Sequence, residues 1–325
     1  MSENLIANHY TCAIKQNNKM MLTSRVMLPD GEIAEVQPYH VCTLGLEDKV
    51  LFKTEEDFRV VHNLIPICAL RANVLPLADC VLNTHCHIGI LAESFEAAKK
   101  FSDSYKLSIA KYYYSVYGEN TSKLFRKINV RPVPVEDMRH LRNMICYILR
   151  NALDMGQTVD LYMWSSYRAY FRSGKISVKT KSVSAMSTRE TRSMFKVGDK
   201  LKKVRWELSE KGIIEPASYC AWGLVEKIFL NDLSFFMKVL GLTDDGEMEQ
   251  KFVGNNTDFQ SVEALLKEIE MRAQKRYGQP LGSLTLEQKI PLIKSVHRSL
   301  RTMPSQLARC FGLPYSVIKQ ILSTR

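Results

Sequence analysis

The chain has 325 residues, 46% of them hydrophobic, which is enough for two or three domains with sizeable cores and excludes a disordered polypeptide. Its formal net charge of +11 favours a polyanionic partner, either nucleic acid or an anionic membrane surface. The start of the chain lacks a signal-peptide pattern, no uncharged apolar stretch of about 20 residues occurs, and the cysteines form no C-x-x-C pair, so we expect a cytoplasmic protein with reduced thiols and no membrane span.

Strand and helix signals alternate along the first half of the chain. QPYHVCTLGLED (37–48) alternates like a strand that enters a turn, and TEEDFRVVHNLIPICAL (54–70) predicts a helix with a threonine cap and acidic residues in its first turn. Strands are predicted within 72–94, a long helix over 94–117 and a second strong helix over 135–156. This order predicts an α+β fold, with a small antiparallel sheet flanked by helices.

The composition changes after Phe171. Across residues 172–205 only Glu190 and Asp199 oppose a long series of arginines and lysines, with serines and threonines between them. We interpret this segment as a basic linker or arm in contact with phosphates, with a merely solvated surface as the alternative. The predicted domains are therefore 1–171, the linker 172–205, and a mostly α-helical region 206–325 with helices near 216–240, 259–277 and 285–300.

The last predicted helices lie in PSQLARCFGLPYSVIKQILS, residues 304–323. Ala308 is small where two helices must cross closely, Gly312 suits the turn, and Ile318 and Ile321 supply the buried face of the second helix. This spacing predicts a helix-turn-helix that binds duplex DNA, with an ordinary helical hairpin as the alternative. The candidate DNA contacts are Arg309, Tyr315, Ser316, Lys319 and Gln320.

NTHCHIGIL (83–91) places two histidines two residues apart on a predicted strand. Side chains at i and i+2 of a strand point to the same face, so His85 and His87 project together while Cys86 points into the core. Two ligands hold a metal weakly, so a third must come from elsewhere. Zinc would favour a cysteine or another histidine, and neither recurs at metal spacing. Two unrelated histidines are the alternative.

The helix over 135–156 carries Tyr147 and Asn151 four residues apart and hence on one face. A tyrosine and an amide opposite two histidines suit phosphodiester chemistry. The metal polarises the phosphodiester, the phenol attacks phosphorus and becomes covalently attached, and the amide oxygen completes the coordination. A core tyrosine with a tethered hydroxyl is the alternative.

These residues, in this order, resemble the single-tyrosine HUH transposases, specifically the REP-associated tyrosine transposases. The resemblance spans residues 39–171. His85-Cys86-His87 fits the histidine, hydrophobic residue, histidine motif, and Tyr147 with Asn151 resembles the tyrosine helix. The other matching segments are Tyr39-His40-Val41 with Gly45 and Leu51-Phe52, Leu124-Phe125-Arg126, and Trp164-Ser165-Ser166-Tyr167.

The resemblance implies a ferredoxin/RRM-like HUH nuclease fold and an enzyme that nicks and rejoins single-stranded or hairpin DNA from repeat palindromes. It implies a 5′-phosphotyrosine at Tyr147, a free 3′-OH, and Mg²⁺ or Mn²⁺ held by His85 and His87 with Asn151 as a third ligand. We expect a bacterial, nucleoid-associated protein that is a monomer or a homodimer. Candidate strand contacts are Lys111, Lys123 and Arg126, and candidate base-stacking residues are Tyr112, Tyr113 and Tyr114.

Several departures from the family pattern support a second interpretation. Leu82-Asn83-Thr84 replaces M-P-N, Ala152 replaces the proline after Asn151, and Gly89 stands where a bulkier residue is common. A catalytically weak or inactive DNA-binding regulator that retains the HUH fold therefore stays open, as does the choice between a mobile element and a host role. An RNA-binding protein is a third interpretation, which no RRM or KH signature supports.

Overall fold

The structure is a computed structural model of the chain. The predicted α+β class is confirmed, with an antiparallel sheet, helices on both of its faces, and a helical C-terminal region. Within the described residues, no helix combines the length and apolar character needed to cross a membrane. The structure describes residues 10–15, 19–43, 50–118, 125, 130–172, 180–199, 201–243, 248, 262–300, 302 and 304–323.

The main sheet has the strand order β1-β2-β3-β5-β4, and every neighbouring pair is antiparallel. A short β6 pairs with β3 at Tyr39 and His40, near the C-terminal end of that strand. Because antiparallel partners project to the same face, the β3–β5 register places Cys42 beside His87 and His40 beside Gly89. The strands are β1 (Tyr10–Lys15), β2 (Lys19–Met27), β3 (Ile33–Cys42), β4 (Leu75–Val81), β5 (Cys86–Ala92) and β6 (Val133–Pro134).

Three helices cover this sheet. Helices α1 (Glu55–Ala72) and α2 (Phe95–Tyr117) pack on one face, where Cys86, Ile88 and other residues of β5 enter the first hydrophobic core. Helix α3 (Met138–Arg150) packs on the opposite face and forms the second core with residues such as Leu91 of β5. The alternation of β5 therefore sends Cys86 to one core and His87 toward α3.

The start of α1 is fixed by a capping box, as the acids after Thr54 predict. The Thr54 hydroxyl accepts from the Asp57 backbone, and the Asp57 carboxylate accepts from the Thr54 backbone. The same carboxylate accepts from the hydroxyls of Tyr112 and Tyr117, each at 2.7 Å. Burial alone would raise the pKa of Asp57, but these hydrogen bonds, with one from the Lys53 backbone, outweigh burial and lower it.

The chain after residue 180 returns to both cores. It forms a small hairpin of β7 (Thr180–Ser182) and β8 (Glu207–Ser209), and helices α4 (Thr188–Phe195), α5 (Trp222–Ile228) and α6 (Leu233–Leu242). Phe195 and Trp206 are buried in the first core, and Phe229 and Phe236 in the second. The predicted basic segment thus contains folded elements that pack on the sheet's helices, while the division at residues 171 and 205 stays a prediction.

Polar contacts join this returning segment to the sheet. The Asn63 side chain donates to the Gly212 carbonyl and accepts from the Ile214 backbone, both at 2.8 Å. The hydroxyl of Tyr219 donates to Asp79 of β4 at 2.9 Å. Asn63 and Asp79 are fully buried, so these bonds satisfy groups that water does not reach.

The C-terminal region has its own, third core, formed by helices α7 (Val262–Tyr277), α8 (Leu286–Ser299), α9 (Pro304–Phe311) and α10 (Tyr315–Ser323). Gly312 adopts a φ of +61° in the turn between α9 and α10, where the sequence predicts a permissive backbone. The single helix predicted near 216–240 is instead the two helices α5 and α6. Leu230 and Asn231, both in the left-handed region, break the chain between them.

Candidate metal and nucleophile site

The candidate site lies between the C-terminal end of β3, the start of β5 and the α3 helix. His85 precedes β5, His87 is on β5, and Cys42 is the last residue of β3. Tyr147 enters from α3, whose N-terminus is capped by the Asp137 side chain. The sheet register and the packing of α3 therefore bring these four side chains to one place.

Three potential metal ligands meet here. The Nε2 atoms of His85 and His87 are 2.9 Å apart, and Cys42 Sγ lies 3.8 Å from His87 Nε2. One ligand atom from each of the three residues lies within 4.8 Å of the others, so the group can hold a metal ion. Cys42 and His87 are buried and His85 is half-buried, so the cluster reaches the surface at His85.

Hydrogen bonds on the far side of each imidazole orient the two rings. His87 Nδ1 lies 3.1 Å from His40 Nε2, and His85 Nδ1 lies 2.7 Å from the Thr84 hydroxyl. Both rings therefore present Nε2 to the site, and such outer partners set the tautomer of a metal-binding histidine.

Burial keeps the inner histidines neutral. Desolvation, followed by the nearby His85, lowers the pKa of His87 well below its usual value and that of His40 to about 3. Neutral imidazole is the form that binds a metal ion. The geometry of the cluster and the neutral state of His87 are therefore both those of a metal-binding site.

Tyr147 faces the histidines edge-on. Its ring centroid lies 5.1 Å from that of His87 and 6.1 Å from that of His40, and its side chain is 2% exposed. Asn151 follows α3 directly, and its Nδ2 donates to the Tyr147 carbonyl at 2.8 Å, which leaves its side-chain oxygen as the candidate ligand atom. The predicted roles of Tyr147 as nucleophile and Asn151 as ligand stay predictions.

Gly89 allows α3 to approach the sheet closely. A Cβ at this position would lie 2.8 Å from Met144 Cε and 3.2 Å from Ile148 Cδ1. Met144 and Ile148 lie on either side of Tyr147 along α3. The departure from the family pattern at Gly89 therefore has a physical reason, because it makes room for the tyrosine helix at the histidine strand.

Neither Cys42 as a potential ligand nor the orienting role of His40 was predictable from a local motif. No cysteine or further histidine recurs at metal spacing along the sequence, yet β3 supplies Cys42 from 45 residues away along the chain. The available signal was the strand predicted within 37–48, which contains both His40 and Cys42. The register between β3 and β5 decides which residues of β3 face the site.

The remaining predicted site residues lie elsewhere. Lys111 is exposed on α2; Tyr112 and Tyr113 are buried, and only Tyr114, at 50% exposure, can meet a base. Lys123 and Arg126 lie outside the described residues. Tyr315, Ser316 and Lys319 are on α10, with side chains outside the description, and Gln320 is exposed there.

Arg309 on α9 points toward the end of α6. Its guanidinium donates to the carbonyls of Thr243 and Leu242. Both carbonyls lie at the C-terminal end of α6, where they lack partners within the helix. This contact therefore joins the α9–α10 pair to a helix of the second core. Its predicted contact with a phosphate stays a prediction.

No family model and no curated protein matches the chain. Among solved structures, the chain is similar to a REP-associated tyrosine transposase bound to a REP hairpin, at 11% sequence identity and a TM-score of 0.30. The similarity covers 40% of this chain and 76% of the other. A likeness this distant assigns no function, so function has to be inferred from the site itself.

Proposed function

We propose that the chain is a metal-dependent DNA strand transferase of the transposase type, which nicks and rejoins single-stranded or hairpin DNA through Tyr147. The observation that carries the proposal is the phenol ring 5.1 Å from His87, within a cluster that also holds His85 and Cys42. A nucleophile beside a metal-binding group is the arrangement that phosphodiester transfer requires.

In the proposed step the Tyr147 oxygen forms a bond to phosphorus while the bond from phosphorus to the 3′ oxygen breaks. The phenol loses its proton and the departing 3′ oxygen gains one. The nick therefore leaves a 5′-phosphotyrosine and a free 3′-OH. Because one phosphodiester replaces another, the reverse attack by a 3′-OH rejoins the strand without ATP.

Cys42, His85 and His87 would hold the metal ion, with the Asn151 side-chain oxygen as the further ligand expected from the sequence. When bound, a divalent ion would polarise the phosphodiester and stabilise the charge that develops on its oxygens. The resemblance to the transposases implies Mg²⁺ or Mn²⁺ as this ion. Mg²⁺ prefers oxygen ligands, so a group of one sulfur and two nitrogens fits a divalent transition metal better.

The charge of the chain supports a DNA partner. Within residues 180–199, Glu190 pairs with Lys181 at 2.7 Å and Asp199 pairs with Arg71 at 2.7 Å. Both acids of this segment are therefore neutralised by ion pairs, while cations such as Arg189 are exposed on its surface. We extend the proposal to duplex DNA at the α9–α10 pair and to a cytoplasmic, nucleoid-associated location, as a monomer or a homodimer.

Covalent capture tests the proposal. The protein is incubated with end-labelled hairpin oligonucleotides from repeats that flank its gene, with Mg²⁺, Mn²⁺ or Zn²⁺, and resolved on a denaturing gel. We expect a labelled protein band that disappears with Tyr147→Phe and with EDTA. Tyr105→Phe is the matched control, because Tyr105 is also buried but packs on the opposite face of the sheet. A band that survives Tyr147→Phe would refute the assignment of the nucleophile.

One observation favours the second candidate, a catalytically weak or inactive sequence-specific DNA-binding regulator. The Tyr147 side chain is only 2% exposed, whereas a nucleophile must reach the scissile phosphate. In the same experiment, hairpin binding on a native gel without any covalent band would support this regulator over the strand transferase.

A further inference from the structure

We propose that Cys42 is a metal ligand, and that Cys42, His85 and His87 together make the site selective for a thiophilic ion of the Zn²⁺ class over Mg²⁺. This metal site is the one in the proposed function, and the inference rests on that function only for the role of the metal in DNA strand transfer. Metal binding itself can be measured without DNA.

Two of the three ligand pairs lie close to the spacing of a tetrahedral ion, and the third pair, Cys42 with His85, lies within 4.8 Å. Zinc bonds of 2.0–2.1 Å to nitrogen and 2.3 Å to sulfur require about 3.3 Å between two nitrogens and about 3.6 Å between nitrogen and sulfur. The nitrogens of His85 and His87 are 2.9 Å apart, and Cys42 Sγ lies 3.8 Å from His87 Nε2. Shifts of about 0.5 Å or less bring these pairs to coordination geometry.

The kind of donor atom determines which ion binds. Thiolate sulfur favours soft and borderline ions, imidazole suits zinc, copper, iron and nickel, and Mg²⁺ favours oxygen. One cysteine and two histidines fill three of the four positions of a tetrahedral ion, which leaves the fourth for the Asn151 side-chain oxygen or for an oxygen of the phosphodiester.

Binding would convert the Cys42 thiol to a thiolate and release its proton to solvent. The two imidazoles would bind as neutral rings through Nε2. Since Cys42 is 3% exposed and His87 is 1% exposed, the thiolate also offsets part of the charge that a divalent ion brings into a buried site.

The strand register makes Cys42 the natural partner of His87. The two residues are directly opposed on β3 and β5, and the Cys42 side chain shares the face of His87 and Tyr147. The hydrogen bonds of His40 to His87 and of Thr84 to His85 hold both rings with Nε2 inward before any ion arrives.

Cobalt substitution of the full chain tests the inference. Co²⁺ is added to the metal-free protein, and the near-ultraviolet sulfur-to-cobalt charge-transfer band is recorded for the wild type, Cys42→Ser and Cys68→Ser. Cys68 on α1 is the matched control. It is a buried thiol that contacts the Ser108 hydroxyl and the Arg71 guanidinium instead of the histidines. We expect the band in the wild type and in Cys68→Ser and its loss in Cys42→Ser, with Zn²⁺ but not excess Mg²⁺ displacing Co²⁺.

Several outcomes would overturn the inference: no charge-transfer band in the wild type, a band that survives Cys42→Ser, or displacement of Co²⁺ by Mg²⁺. If Cys42→Ser does not fold, His85→Ala replaces it, since His85 is half-buried. That variant should weaken Co²⁺ binding by more than about 100-fold, beyond the usual cost of losing an outer hydrogen-bond partner. Unchanged affinity would overturn the inference. A cobalt band without any DNA adduct would refute strand transfer and leave the metal assignment standing.

Discussion

Replacing Gly89 by alanine should impair the chemistry at Tyr147 more than it destabilises the fold. The added Cβ would lie 2.8 Å from Met144 Cε and 3.2 Å from Ile148 Cδ1. Both neighbours are on α3, Met144 three residues before Tyr147 and Ile148 directly after it. The contacting atoms are the ends of flexible side chains, but both side chains are fully buried in the second core. The part of the displacement that α3 takes up moves the tyrosine relative to His87 on β5.

The size of the effect follows from the distances. Carbon atoms in van der Waals contact are about 3.5–4.0 Å apart, so the Met144 methyl or the helix must yield by about 1 Å. Overpacking of this kind costs about 1–3 kcal/mol, and alanine regains about 0.5–1 kcal/mol relative to glycine inside a strand. We expect a net loss of about 0–2.5 kcal/mol in the free energy of unfolding. A misplacement of about 1 Å at the nucleophile lowers the rate by about 100-fold.

Two assays separate these effects. Urea unfolding measures stability, and the initial rate of covalent adduct formation measures chemistry. Gly241→Ala is the matched control, because nothing lies within 4 Å of a Cβ at that position. Adding Met144→Leu, which keeps the volume but removes the Cε atom, should restore part of the rate. An adduct rate unchanged by Gly89→Ala, or lowered equally by Gly241→Ala, would refute the reasoning.

Three further variants test the fold. Asp57→Asn should cost about 1–2 kcal/mol at neutral pH. Because its folded pKa is lowered, Asp57 stabilises the fold above its unfolded pKa of about 4 and stops doing so as the pH falls through the folded value, so urea unfolding near pH 3 should show a smaller difference. Asn63→Ala should cost about 2–4 kcal/mol in urea unfolding, since it leaves the Ile214 backbone and a buried carbonyl unpaired; a cost under about 1 kcal/mol would contradict this. Tyr219→Phe should lower the thermal midpoint by removing the donor to Asp79, at a cost of about 1–3 kcal/mol.

Local signals made much of the first half predictable. The Thr54 capping box begins α1 and Ser94 caps α2, so both helices start within a residue or two of their predicted positions. The strand predicted at His85 begins one residue later, at Cys86, but the His85 side chain still shares the face of His87, as the two-residue period of an extended chain predicts.

What could not be predicted depends on contacts between distant segments. Cys42 reaches His87 only through the register of β3 with β5, which no local pattern reports. The break between α5 and α6 uses Leu230 and Asn231 in the left-handed conformation, whereas glycine would have signalled it. The packing of residues 180–243 against both cores was hidden by their basic composition, because cationic surface residues alternate there with buried ones such as Phe195.

The contacts of Asn63 and Asp79 have a consequence for folding during synthesis. Asn63 accepts a hydrogen bond from the Ile214 backbone, 151 residues later in the chain, and Asp79 accepts one from Tyr219, 140 residues later. Such separations give a high contact order, and the loops must close before these bonds form. While the ribosome is still making the second half, Asp79 has His62 but not yet Tyr219 as a partner, and the sheet's helices expose apolar surface. The chain should therefore depend on chaperones late in translation, and the second core around Tyr147 should become rigid only after Phe229 and Phe236 have emerged.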